Sequence, residues 1–134
     1  SKKANPNADL RGVLIQELLP AGHEFIVGAI KDSTMGHLVM AGLGGIYTEL
    51  FRDTAFRIAP VSERDSYRML EELRSWKLLM GLRGASMSNI PSLAETIVKI
   101  AQLVTECPVI KELDLNPVIV DSKGTRIADA KVIL

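Results

Sequence analysis

A chain of 134 residues, 47% of them hydrophobic, carries enough apolar material for one core of ordinary size. Sixteen basic side chains balance sixteen acidic ones, which excludes the basic footprint of a nucleic-acid binder and a general attraction to anionic membranes. The single Cys107 excludes an internal disulfide framework and a multi-cysteine metal site, and no apolar run is long enough to span a bilayer, so a cytoplasmic protein is expected.

The first ten residues, 1–10, are polar, lack an initiator Met and read as a linker, with one domain expected over 11–134. Gly12 to Leu19 reads as a strand, and Pro20-Ala-Gly-His turns the chain into a second strand over Glu24–Ile30. Lys31 to Gly36 reverses it again, and His37–Ala41 forms a short third strand that runs into Gly42-Leu-Gly-Gly45. Thr54–Ala59 alternates enough to be a fourth strand, ended by Pro60.

Helices follow. Ser62 and Asp65 have the spacing of a capping box, and Tyr67, Leu70 and Leu73 recur at helical spacing, predicting a helix to about Trp76. The glycine-broken Leu78–Gly84 segment has room for one further turn. After Pro91, Ser92 and Glu95 predict a second capping box, with an apolar stripe of Leu93, Ala94, Ile97, Ile100, Ala101 and Val104. A final β-hairpin joins Glu112–Val120 to Thr125–Lys131 through a four-residue turn, in which Gly124 is expected to supply a positive φ. The order is that of an α+β fold, a mostly antiparallel sheet covered on one face by two or three helices, with ligands on the uncovered face.

Counting outward from a Val120–Thr125 pair sets Asn116 opposite Asp129 and Asp114 opposite Lys131. One hairpin face then carries these four polar residues, and the other carries Leu113, Leu115, Ile119, Ala128 and Val132. Asp129 and the Asn116 amide oxygen are the hard oxygen donors that Mg²⁺ takes, alongside water and phosphate oxygens. A solvated strand face is the competing reading, and a one-residue slip would separate the pair.

Gly42-Leu-Gly-Gly45 would let backbone N–H groups approach phosphate oxygens, although it lacks the Lys-Ser/Thr ending of a P-loop and also suits a plain turn. Glu49 beside it is equally suited to an ion pair with Arg52 or Arg57. His23 and His37 lack metal-ligand spacing and read as structural or solvated. Neither a Ser-His-Asp nor a Cys-His constellation is detectable, which disfavours hydrolysis through a protein nucleophile.

Six segments in order resemble the ATP-grasp domain of NDP-forming acyl-CoA synthetases, the group of ADP-forming acetate–CoA ligase and, more distantly, the succinyl-CoA synthetase β chain. They are Gly12–Glu17, Gly22–Gly28, Met40–Glu49, Phe56–Pro60, Leu113–Val118 and Ile127–Lys131. The resemblance implies the C-terminal lobe of that domain, with ATP or ADP and Mg²⁺ as its ligands. It implies that Gln16, Glu17 and Leu18 lie at the hinge beside adenine and ribose. Gly44, Gly45, Glu49 and Arg57 match the glycine-rich and following nucleotide-binding segments. Asn116 and Asp129 match the metal ligands at the phosphates, and Asp114 a position that supports the metal shell. The implied reaction converts acyl-CoA, ADP and phosphate into the acid, CoA and ATP through a phosphohistidine.

The resemblance also implies partners: an N-terminal ATP-grasp lobe bearing a phosphate-contacting lysine, and CoA-binding domains, in the same protein or another subunit. Neither His23 nor His37 matches the phosphorylated histidine, so the isolated chain is expected to be inactive and to bind nucleotide weakly. Two alternatives stand beside the ligase. One is a regulatory ATP-grasp-like module of a protein lysine acetyltransferase, disfavoured by the intact Asn116 and Asp129. The other is a structural interaction module with the polar hairpin face buried against another chain.

Overall fold

The computed structural model describes residues 22–44, 53–81 and 87–134. The expected linker and the Gly12–Leu19 strand lie outside these. The described elements are β1 (His23–Asp32), β2 (Gly36–Leu43), β3 (Thr54–Ile58), α1 (Glu63–Glu72), α2 (Trp76–Met80), α3 (Ile90–Glu106), β4 (Glu112–Val120), β5 (Thr125–Ile127) and β6 (Ala130–Ile133). All strand pairs are antiparallel; the order is β3-β2-β1-β4-β5, and β6 also pairs with β4. The helices lie on one face, as an α+β fold of this element order requires.

Alternation decides which side chains meet the helices. Phe25, Val27 and Ala29 of β1, Val39 and Ala41 of β2 and Leu113 and Leu115 of β4 are buried against the α3 stripe of Leu93, Ile97, Ala101 and Val104. Burying each large side chain among these contributes about 1.5–3 kcal/mol before the entropy of ordering is subtracted.

Local chemistry sets the boundaries, not always where periodicity places them. The Ser62 hydroxyl accepts from Asp65 N–H at 3.1 Å and caps α1 as expected. That helix nevertheless stops at Glu72, short of Trp76, and α2 starts anew. The buried Asp53 carboxylate accepts from Arg74 N–H at 2.6 Å and Ser75 N–H at 2.8 Å, so these amides bond to a side chain instead of continuing the helix. At α3 the cap is Asn89, whose side-chain oxygen accepts from Ser92 N–H at 3.1 Å. Ser92 is therefore inside the helix, where its hydroxyl meets Asn89 C=O at 2.7 Å and Thr125 Oγ1 at 2.6 Å. Glu95 faces Lys99 at 3.4 Å instead of closing a capping box.

The hairpin turn closes differently from expectation. Among the described glycines the positive φ values are at Gly36 (92°) and Gly81 (90°), and Gly124 has none. Asp121 closes the turn: its Oδ1 accepts from Lys123 N–H at 2.8 Å and Gly124 N–H at 3.1 Å. These bonds, with Lys123 the strongest contributor, hold its carboxyl below the usual aspartate range. His37 is a structural histidine, buried with Nε2 2.7 Å from Ile110 C=O. Among the described residues, no helix is long and apolar enough to cross a membrane.

Candidate functional site

The hairpin register is the one that counting predicts. Val120 pairs with Thr125, Val118 with Ile127 and Asp114 with Lys131. Asn116 N–H donates to Asp129 C=O at 3.1 Å, and Ala128 N–H to Pro117 C=O at 3.0 Å, so Asn116 stands across from Asp129. Both residues are exposed. Asp129 Oδ1 accepts from the N–H of Ala130 at 2.9 Å.

A second register, that of β4 on β1, fixes where this pair sits. Phe25 pairs with Val118 and Val27 with Leu115, with a shift between them. Two residues, Asn116 and Pro117, thus oppose Ile26 alone, which is a β-bulge. Beyond it the alternation of β4 is reversed. Val118 and Val120 join Leu113 and Leu115 on the helix side, while Ile119 pairs with Glu24 on the other side, against expectation. Ile119 is buried there all the same, whereas Ala128, between β5 and β6, and Val132 of β6 are exposed at the outer side of β4, where the helices give little cover.

Asp114 therefore stands on the uncovered face, opposite in sense to Leu113 and Leu115, with Asn116 two residues further along. A single cross-strand row runs over this face through Phe56, Met40, Gly28, Asp114 and Lys131. A hollow opens there, walled by Ile30, Leu38, Met40 and Phe56, with Glu112 and Asp114 on its acidic side. Ile30 is 60% exposed and Phe56 and Ile58 47% each, an apolar surface of the kind that marks a binding or interaction face.

The glycine-rich segment approaches from the other side of β1. Gly44 N–H donates to Glu24 C=O at 2.8 Å, and a Cβ on Gly44 would lie 3.2 Å from that oxygen. Gly44 and Asn116 thus flank the first half of β1. Gln16, Glu17, Leu18, Gly45 and Glu49 lie outside the described residues. Arg57 is elsewhere: it pairs in register with Val39, on the helix side, and forms a bidentate ion pair with Glu72 of α1. The hydrogen bond from Arg57 lowers the carboxyl pKa of Glu72, and the same bond raises that of the guanidinium. The sheet separates this pair from Asp114 and Asn116.

Among the described residues no three His, Cys, Asp or Glu side chains cluster as a metal site. The donor set at the hairpin is instead the Asn116 amide oxygen and two carboxylates, with Asn116 and Asp129 exposed, Asp114 half-buried, and Asp129 in the link between β5 and β6 across from β4. Such a set suits Mg²⁺, which keeps several waters and takes one or two carboxylates together with phosphate oxygens. The bulge at Asn116 has its signal in Pro117, which has no N–H for the ladder and in a strand paired on both sides falls at a bulge. A lone glycine in the apolar β1 is the signal for close backbone approach, and it falls at Gly28.

Known proteins resemble this chain in sequence and in fold. The profile of the family described as ATP-grasp domain matches residues 1–134. The chain is 42% identical over 134 residues to the β subunit of acetate–CoA ligase [ADP-forming] I of Pyrococcus furiosus, covering 100% of this chain and 58% of that relative. It is 41% identical over 134 residues to 4-hydroxybutyrate–CoA ligase [ADP-forming] of Nitrosopumilus maritimus, covering 98% of this chain and 19% of that one. Among solved structures, a dinucleotide-forming acetyl-coenzyme A synthetase 1 from Ca. Korarchaeum cryptofilum superimposes with a TM-score of 0.83 at 43% identity, over 86% of this chain and 54% of that one. It holds coenzyme A and Mg-AMPPCP, with its phosphohistidine segment pointing towards the nucleotide-binding site. The chain thus spans between a fifth and three fifths of the length of these relatives.

Proposed function

The chain belongs to the ATP-grasp domain family, and from that premise we propose that it is the nucleotide- and Mg²⁺-binding lobe of an ADP-forming acyl-CoA synthetase. The observation that carries this reading is the hairpin register, which puts Asn116 across from Asp129 with Asp114 on the same uncovered face. Its parent would catalyse acyl-CoA + ADP + phosphate = acid + CoA + ATP, with a phosphohistidine as carrier. The N-terminal lobe, the CoA-binding domains and the phosphorylated histidine are supplied by the rest of the protein or by another subunit, as the β-subunit and longer forms of the relatives suggest.

Asn116 and Asp129 hold the cation and Asp114 supports them. When bound, Mg²⁺ neutralises phosphate charge and aligns the transferred group, the usual electrostatic task in phosphoryl transfer. The chain's own part is preorganisation: the paired backbones of Asn116 and Asp129 set the two residues across from each other before nucleotide arrives, which lowers the cost of ordering them on binding. Gly44 is a nucleotide contact by resemblance; its N–H is taken by Glu24 C=O, and its missing Cβ lets it lie against β1. Gln16, Glu17, Leu18, Gly45 and Glu49 remain nucleotide contacts by resemblance. A nucleotide role for Arg57 has the same basis and competes with its Glu72 pair. The intact Asn116 and Asp129 support a ligase over a regulatory module of an acetyltransferase.

Calorimetry of ADP with Mg²⁺ on the complete parent protein tests this. Asp129→Ala should weaken Mg²⁺-dependent ADP binding by roughly tenfold or more, while unchanged affinity would remove the metal assignment. The isolated chain should show no acyl-CoA synthesis, and measurable turnover would contradict the division of the site between lobes.

A further inference from the structure

Gly28 lies in the middle of β1, between Met40 on one side and Asp114 on the other. It is buried although it belongs to the uncovered face. A Cβ built on it would stand 2.8 Å from Leu113 C=O, 3.7 Å from Asp114 Cα and 3.8 Å from Asp114 Oδ1. The first distance is shorter than carbon and oxygen tolerate, and the obstacle is backbone, so any side chain here must move β4. The displaced segment is Leu113–Asp114, which leads directly into the Asn116–Pro117 bulge.

We propose that Gly28 is a positioning residue for the cation site: by having no side chain it lets β4 lie close enough to β1 to aim Asp114 and Asn116. This inference rests on the proposed function. It asks for more than a well-packed sheet, because the contact falls on the one strand that supplies both residues. It also explains a glycine inside an otherwise apolar strand, where its conformational freedom serves no turn.

The test uses the complete parent ligase carrying Gly28→Ala, with ADP titrated calorimetrically with and without Mg²⁺. ADP affinity without Mg²⁺ should change less than about threefold, while the Mg²⁺-dependent gain and kcat should fall roughly ten- to a hundredfold, the range for a residue that orients metal ligands. On an Asn116→Ala background the same substitution should cause no further loss of the Mg²⁺-dependent gain. Val104→Ala, a core truncation in α3 on the other side of the sheet, serves as a destabilised control and should keep that gain.

Mg²⁺ dependence intact in Gly28→Ala, or lost equally in Val104→Ala, would overturn the inference while leaving the proposed function standing. A Gly28→Ala protein that does not fold would also overturn it, since Gly28 would then be a requirement of the sheet and not of the site. Wild-type ADP binding that ignores Mg²⁺ would remove the proposed function and this inference together.

Discussion

The two faces of one sheet use neighbouring residues for opposite purposes. On the helix side, Phe25, Val27 and Leu115 are fixed by packing, and the one charged residue of β3, Arg57, is neutralised by Glu72. On the other side, Gly28, Asp114 and Asn116 are fixed by register and by a bulge, with apolar Ile30 and Phe56 left exposed beside them. Hydrophobicity therefore does not tell the faces apart: Phe56 and Ile58 look outward while Arg57 between them looks in. The difference lies in what covers each face: helices pack on one and leave the other open.

Substitutions that act on one face and spare the other sharpen this contrast. The largest effect belongs to Phe25→Ala, which leaves a cavity under α3 and should lower unfolding free energy by about 3–5 kcal/mol in a denaturant titration. Asp53→Ala should come next: it leaves the Arg74 and Ser75 amides without their acceptor and costs about 1–3 kcal/mol, read by the same titration. Asp129→Ala should leave stability nearly unchanged but reduce Mg²⁺-dependent ADP affinity in the parent protein by roughly tenfold, about 1.4 kcal/mol. A stability loss as large as that of Phe25→Ala would break the division between the faces.

Arg57→Ala should cost about 0.2–1 kcal/mol, because the pair with Glu72 is partly exposed and screened. An affinity loss matching that of Asp129→Ala would show Arg57 reaching nucleotide despite the intervening sheet. The smallest effect is at Asp121, whose folded pKa is depressed by the Lys123 and Gly124 amides. Its stabilisation is present above the ordinary aspartate pKa of about 3.9 and is lost as pH falls through the lower folded value. Melting curves of wild type and Asp121→Asn should therefore differ near neutral pH and converge in acid.

What was legible in the sequence was local. The apolar runs of β1 and β2, the alternation of β3, the Ser62 cap and the hairpin register all depend on residues a few positions apart, so counting suffices. The break between α1 and α2 was not, because the carboxylate responsible, Asp53, sits 21 residues before Arg74. Asn89 caps α3 ahead of Pro91, a boundary that proline alone does not mark, since it suits the first turn of a helix as well as the loop before it. The Asn116–Asp129 pairing was legible from the turn alone. Its placement opposite Ile26 was not, since that register depends on how β4 meets a strand far earlier in the chain, and Arg57's partner likewise comes from a different element.

At the far end of the hairpin, the Ser92 and Thr125 hydroxyls meet at 2.6 Å and Asn89 N–H donates to Asp121 C=O at 2.8 Å. The start of α3 and the tip of the hairpin are thereby clasped. Helix and hairpin are thus coupled, so Asn116 and Asp129 travel with the core like jaws on a rigid handle. In the parent protein, amides of the clasp should exchange with solvent no faster with nucleotide absent than with it bound.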